Sequence, residues 1–365
     1  MAVGKTGTTP RRRLLQLASS VLALAWLAAC TPGLAEDPAP RTTSPLTSAG
    51  PLSTIAEDLE APWSIAFDGD TALVSERDSG RILELDADGN AREVGLVAEA
   101  EPSGEGGLLG IAINDDQLYT YFTAGADNRI MRYELTGRPG DLALRGGKII
   151  LSGLPAASFH NGGRIAFGPD QMLYVTAGDA GNRDSAQDRT QLSGKILRMT
   201  PDGGVPADNP FAGSLVYSYG HRNPQGIAWD AHGTMYASEF GQDTWDELNV
   251  IKPGGNYGWP EVEGIADRDG FIDPVQQWRP ADASPSGIAI ADESIFIANL
   301  RGERLRRVPL DELSSSTEQL VGEYGRLRDV TVAPDGSLWV LTNNTDGRGD
   351  PAAGDDRILR LKLGT

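Results

Sequence analysis

Cysteine is almost missing from this chain. There is one, Cys30, in 365 residues. No disulfide can form in the body of the protein, so its compactness must come from packing, with bound metal the one other cross-link open to it. Cations are also in deficit, 32 Lys and Arg against 51 Asp and Glu, for a formal charge of −19. The first thirty residues hold Lys5, Arg11, Arg12 and Arg13 and no acid, so the remainder sits near −23. That balance excludes nucleic acid as a partner and suits an exported protein with a solvated acidic surface. A membrane-spanning apolar run is lacking too: the one apolar stretch, in the leader, is short and rich in small residues. A sustained helical pattern is equally absent, because the repeating segments carry too many Gly, Asp and β-branched residues. Histidine is scarce, with three in the chain.

The residues that are present begin with a leader. "MAVGKTGTTPRRRLLQLASSVLALAWLAAC" has a basic start, an apolar run and small residues ending at Cys30, the layout of an export signal. "LAAC" resembles the bacterial lipobox, in which the cysteine is lipidated and becomes the new N-terminus. Residues 1–30 are therefore read as a lipoprotein-type signal, and residues 31–52, rich in Pro, Thr, Ser and Ala, as a flexible tether. The expected location is the outer face of the cell membrane, held only through a lipid on Cys30. Residues 53–365 remain, enough for a large core.

That remainder repeats. Six segments share a Gly or Pro start, an apolar strand, an Asp/Gly turn, a second strand, a polar loop and a third strand. They are "PWSIAFDGDTALVSERDSGRILEL" from Pro62, "GLLGIAINDDQLYTYFTAGADNRIMRYEL" from Gly107, "GRIAFGPDQMLYVTAGDAGN" from Gly163, "PQGIAWDAHGTMYASEFGQDTWDELNVI" from Pro224, "PSGIAIADESIFIANLRGERLRRVPL" from Pro285 and "RDVTVAPDGSLWVLTNN" from Arg328. Their starts are spaced by 45, 56, 61, 61 and 43 residues. A unit of this size cannot bury both faces alone, whereas units stacked around an axis can. The expected fold is all-β, a six-bladed β-propeller with extra loops in its middle blades. Propeller loops gather at the end of the central channel, where a site can form.

Unusual residues cluster in those loops. His160 and Asn161 precede the third segment, and Asp179 follows its second strand. His221, Arg222 and Asn223 precede the fourth, and Glu239 and Gly241 follow its second strand. Arg301, Arg326 and Arg328 occupy comparable positions in the last two segments. Histidine beside arginines and a carboxylate offers a base, anion receptors and an orienting group. Each residue alone is equally a turn hydrogen-bonder or an ion-pair partner. Convergence at one end of a ring is what points to chemistry.

"GEGGLLGIA", "FHNGGRIAFGPD", "LYVTAGDAG", "GKILR", "YGHRNPQGIAW", "SEFGQDTWDELNVIKPGGNYGWP" and "RLRDVTVAPDG" together make the chain similar to the soluble pyrroloquinoline quinone-dependent glucose and aldose sugar dehydrogenases, over about Leu59 to Leu361. The family's fold is a six-bladed propeller, in agreement with the repeat count. The resemblance implies oxidation of an aldose to a lactone, with pyrroloquinoline quinone and Ca²⁺ as cofactors and an electron acceptor that the residues do not identify. It implies His160 as general base, held by Asp179. It implies that Arg222, Asn223, Arg326 and Arg328 contact the quinone, joined by Glu105 and Arg301. The backbone carbonyls of Gly241 and Gln242 would hold the cofactor calcium. Glu247 and Asp267 side chains, with Tyr257 and Glu263 carbonyls, would form a second calcium cluster. Three positions depart from the family's common pattern: Glu105 for Gln, Arg301 for Lys, and Phe159 where some members have Asp. Loops that narrow sugar choice in the glucose-specific members are short here, which implies a broader aldose range. Two rival readings are a calcium-dependent lactonase or other hydrolase on the same fold, and a propeller binding module without activity.

Overall fold

The computed structural model describes residues 52–364; the leader, Cys30 and the tether up to residue 51 lie outside the described residues. Among the described residues, twenty-four strands form six antiparallel sheets of four. The innermost strands are Pro62–Asp68, Leu108–Asn114, Ile165–Phe167, Pro224–Trp229, Pro285–Ala291 and Leu327–Val332. Each touches the next around a closed circuit, the last against the first. The repeat starts read from the sequence fall within two residues of these strands, and the six-bladed propeller is what the chain forms. The ring is closed by the N-terminal strand: Leu52–Ala56 pairs with Ile358–Leu361 as the outermost strand of the sixth blade. Both ends of the described residues are thereby tied into one sheet.

The repeat plan read from the sequence has three strands, and each blade has four. The fourth strands are Ala91–Leu96, Ala143–Pro155, Val216–Tyr219, Gln276–Trp278, Thr317–Gln319 and Leu52–Ala56. Several have exposed residues and no apolar periodicity, as in "AREVGL", because an outer strand packs less against neighbouring blades. Inner strands are buried on both faces between blades, so they read as apolar runs rather than alternations. The second strands Thr71–Glu76 and Ser294–Asn299 are buried throughout. Core side chains fill the spaces between blades, for example Trp63, Leu109, Tyr121 and Val175 at the junctions of the first three.

The channel is not an open pore. Arg164, on the third blade, reaches across to Asp329 on the sixth (3.0 Å), to Ser64 Oγ on the first (3.1 Å) and to the Gln225 carbonyl on the fourth (2.9 Å). Its guanidinium stacks on Trp63 at 4.3 Å. This buried ion pair with its extra hydrogen bonds ties four blades together beneath the loop end; removing either charge would strand the other in a dry interior. The expected extra length in the middle blades is also present, as the Asp179–Ser193 insert with one 3₁₀ turn at Arg183–Ala186, and as the Lys252–Val275 connection.

Candidate active site

The start of an inner strand and the end of its antiparallel neighbour lie at the same end of a blade. Ile165 pairs with Val175, Pro224 with Glu239 and Leu327 with Thr342. The residues just before the first strands and just after the second strands therefore share one end of the ring. His160, Asp179, Arg222, Asn223, Gly241, Arg326 and Asp346 all occupy such positions.

His160 is held in the left-handed region at φ 58°, sparsely populated by residues other than glycine and a mark of constraint at a functional position. Its Nδ1–H donates to Asp179 Oδ1 at 2.7 Å. Asp179 is fully buried. Its Oδ1 also accepts from Gly181 N–H (2.8 Å) and its Oδ2 from Trp259 Nε1–H (2.9 Å). Burial alone would raise this carboxyl, but the His160, Gly181 and Trp259 hydrogen bonds outweigh it and hold Asp179 below the usual range. An ionised Asp179 only accepts, which places the histidine proton on Nδ1 and leaves the Nε2 lone pair available. Gly178 is required beside it, since a Cβ there would lie 2.0 Å from the His160 carbonyl oxygen. The Trp259 ring also carries two guanidinium groups close by, Arg183 at 4.5 Å and Arg222 at 5.5 Å from its centre.

Glu105 accepts the His160 backbone N–H at 2.9 Å and pairs with Arg348 Nη1 at 2.7 Å. Its negative charge, a departure from the resembled pattern, is thus already partnered. Burial pushes Glu105 up, yet the His160 N–H and Arg348 bonds bring it below the ordinary value. Asn223 is fully buried; its Oδ1 accepts Gly162 N–H at 3.0 Å and fixes the glycine pair after His160. Arg222 donates to the carbonyls of Phe240 (3.2 Å) and Gly241. Burial lowers its guanidinium below the usual value. Arg326 pairs with Asp346 at 3.2 Å. Arg328 donates to Asn343 Oδ1 and Gln225 Oε1 (2.8 Å), lies 3.7 Å from Asp346, and is pushed by burial down to about 9. Arg77, Glu105, Gln225, Phe240, Leu300, Arg328, Asp346 and Arg348 line one recess.

At the same end of the ring, three donors are buried without a partner among the described residues: Arg222 Nε, Asn223 Nδ2 and Arg326 Nε. Each such group costs roughly 1–3 kcal/mol unless a bound acceptor satisfies it. Unpaired donors on two arginines and an asparagine fit an acceptor-rich anion, as a quinone bearing three carboxylates would be.

The expected metal residues divide. Gly241, Glu247, Tyr257 and Glu263 line a small cavity together with Glu239 and Arg222. Glu239 and Glu247 are paired across adjacent strands. Desolvation, then the charge of Glu239, pushes Glu247 well above the ordinary carboxyl range. Crowded buried carboxylates of this kind fit a hard cation. The Gly241 carbonyl is bonded to Arg222, which leaves its second lone pair for a metal. The Glu263 carboxylate, rather than its carbonyl, is the group engaged: it accepts from the backbone N–H groups of Gln242, Thr244 and Trp245. Asp267 lies in an exposed loop outside the lining of that cavity, its N–H bonded to Asp273. Among the described residues no group of three or more His, Cys, Asp or Glu side chains is arranged around a metal position. Arg301 is likewise set apart, exposed after Leu300, outside the recess that holds Arg328.

His221 has a different fate from His160. It is fully buried, with Nδ1–H on Glu239 (2.7 Å), Nε2 accepting from Ser218 Oγ (2.8 Å), and its ring stacked on Tyr257. Both nitrogens are consumed, so it braces the loop that carries Arg222. A roomier recess of about 370 Å³ lies between the last two blades, walled by Glu303, Tyr324, Asn344, Asp350, Asp355 and Arg357. It holds neither the histidine nor an unpaired buried donor, and the chemistry is assigned to the His160 end. Sequence reading missed Trp259, Asp346, Arg348 and Gln225. Trp259 stood in the quoted "GGNYGWP" and could have been singled out as a buried indole needing an acceptor.

Comparison with known proteins places this geometry in context. The glucose/sorbosone dehydrogenase family model matches residues 59–359. The PQQ-bound aldose sugar dehydrogenase of Streptomyces coelicolor is 50% identical and superimposes with a TM-score of 0.81, over 87% of this chain and 99% of that one. Aldose sugar dehydrogenase YliI of Escherichia coli is 28% identical over 81% of this chain and 91% of its own length. Quinoprotein glucose dehydrogenase B of Acinetobacter calcoaceticus is 34% identical over 60% of this chain and 54% of its own length. With its repeats, its closed ring and a family match over nearly all the described residues, the chain belongs to the glucose/sorbosone dehydrogenase family.

Proposed function

We propose that this protein is a pyrroloquinoline quinone- and calcium-dependent aldose dehydrogenase that oxidises the anomeric carbon of a sugar to a lactone. The observation that carries the reading is the His160–Asp179 pair beside unpaired buried donors of Arg222, Asn223 and Arg326. Its support includes the 50% identity to a PQQ-bound aldose sugar dehydrogenase. His160 Nε2 takes the proton from the anomeric hydroxyl, and Asp179 stabilises the imidazolium that results. Asp179 is itself oriented by Trp259, while Glu105 and Asn223 pin the backbone on either side of the histidine. Arg222, Asn223, Arg326 and Arg328 hold the quinone carboxylates and oxygens. Gly241 and Gln242 carbonyls would hold its calcium, and Glu247, Tyr257 and Glu263 would hold a second one, with Asp267 the remaining ligand that the resemblance implies. When bound, the quinone with its calcium supplies an electrophilic hydride acceptor.

The lactonase reading would need side-chain carboxylates converging in the channel. The described channel residues are instead arginines with paired acids. Protein stripped of metal and then given the quinone and Ca²⁺ should oxidise a panel of aldoses with an artificial acceptor, and chelator added before the quinone should prevent it. Lactone hydrolysis without quinone would favour the rival.

A further inference from the structure

Arg348 has no role in the reading above, yet it reaches the centre of the site. It lies on the loop after the second strand of the sixth blade, held by its own N–H to Asp346 Oδ1 at 2.9 Å. Its Nη1 contacts Glu105 Oε1 at 2.7 Å, 243 residues away in sequence. Among the described residues its other guanidinium N–H groups meet no acceptor, and its side chain remains about half exposed (53%). It lines the same recess as Arg77, Glu105, Arg328 and Asp346.

Glu105 is the constrained partner. One oxygen accepts the His160 N–H and the other Arg348. An unpaired carboxylate in that position would face any anion held by Arg328, and two like charges in one partly buried recess repel. A neutral side chain would need no such compensation. Building on the proposed function, we propose that Arg348 is a further binding residue for the anionic cofactor. It neutralises Glu105 so that an anion can sit beside it, and its free N–H edge donates to that anion. The Glu105–Arg348 pair then acts as a unit, taking the place of one neutral side chain.

The test is a double-mutant cycle read by absorbance titration with pyrroloquinoline quinone in the presence of Ca²⁺, on full-length protein without sugar. Thermal melts of each variant report folding separately. R348M should remain folded and bind the quinone roughly ten- to a hundredfold more weakly, the range for a lost charge-assisted bond. E105Q alone should change binding by no more than about threefold, since Arg348 keeps its charge and its free N–H edge for the anion while the Gln Oε1 can still accept the His160 N–H. E105Q added to R348M should recover about tenfold of the loss, and R348K should retain most of the affinity. A purely structural strap between the two loops would instead lower melting temperature in R348M without a rescue of quinone affinity by E105Q. Wild-type binding with R348M unchanged, or with a double variant as weak as R348M, overturns the pair and leaves the proposed function standing. No binding by the wild type overturns both.

Discussion

At the scale of single residues, the account rests on what surrounds two nitrogen atoms of His160. One is fixed by Asp179 and the other is left for substrate. Replacing His160 with Ala should lower the turnover number by roughly two to four orders of magnitude while quinone affinity stays near wild type. Steady-state kinetics with saturating cofactor, together with the titration, separates these. Trp259→Phe keeps an aromatic ring near Arg183 and Arg222 but deletes the indole N–H that Asp179 Oδ2 accepts. Turnover should drop about tenfold with KM for sugar little changed, and the acid limb of the pH–rate profile should move; an unaltered profile would reduce Trp259 to a packing residue. Asp179 also makes a stability prediction. Its folded-state value lies below 3.8, so the carboxylate contributes stability that is fully present above the unfolded value and lost as pH falls through the folded one. Asp179→Asn should therefore be less stable than wild type at pH 7, with the gap closing below about pH 4 in denaturant titrations.

At the scale of elements, the inner strands and their turns were legible in sequence because their cause is local. "GIA" after Gly or Pro, then an Asp/Gly turn, marks a doubly buried strand followed by a hairpin. The outer strands were not legible, since "AREVGL" and "TEQ" owe their pairing to a neighbour already formed. The site was legible in part for the same reason. His160, Asp179, Arg222 and Asn223 lie close together in the chain's middle and in recognisable motifs. The Glu105–Arg348 and Arg164–Asp329 pairs span 243 and 165 residues, and nothing local announces them. Lys195 of "GKILR" is a third case. Burial pushes its amine down to about 7, against the pull of Asp188. Its Nζ nevertheless meets three carbonyls, of Ser185, Ala186 and Ser193, at 2.7, 3.0 and 2.7 Å. Three acceptors match the three donors of an ammonium, and a neutral amine would leave one carbonyl unbonded. Lys195 thus clamps the insert that follows Asp179. Lys195→Met should cost about 2–3 kcal/mol in unfolding free energy and loosen the insert in hydrogen exchange.

At the scale of the whole molecule, the ring is closed by one short strand, and the sequence ahead of the acidic body reads as a leader with a lipobox-like end. Removing residues 52–56 would leave the strand Ile358–Leu361 with one open edge and uncover Leu361 and Ala56's neighbours in the last blade. The melting temperature should fall by roughly 5 °C or more, and aggregation should rise through the exposed edge. The tether reading makes a separate prediction. Acyl chains on Cys30 would contribute about 0.8 kcal/mol per buried methylene, so Cys30→Ala should shift the protein from the membrane fraction to the soluble one; a variant that still sediments with membranes would remove the anchor from this position. The central claim concerns the loop end of the ring, where, among the described residues, buried donors lack partners and a histidine keeps one nitrogen free. Its most direct measurement is an absorbance titration of metal-stripped protein with pyrroloquinoline quinone and Ca²⁺, followed by addition of an aldose. The account predicts saturable binding at micromolar cofactor and reduction of the bound quinone by sugar in wild type, with binding but about a hundredfold slower reduction in His160→Ala. Folded protein that binds no quinone under these conditions, or a His160→Ala variant that is reduced at the wild-type rate, would contradict it.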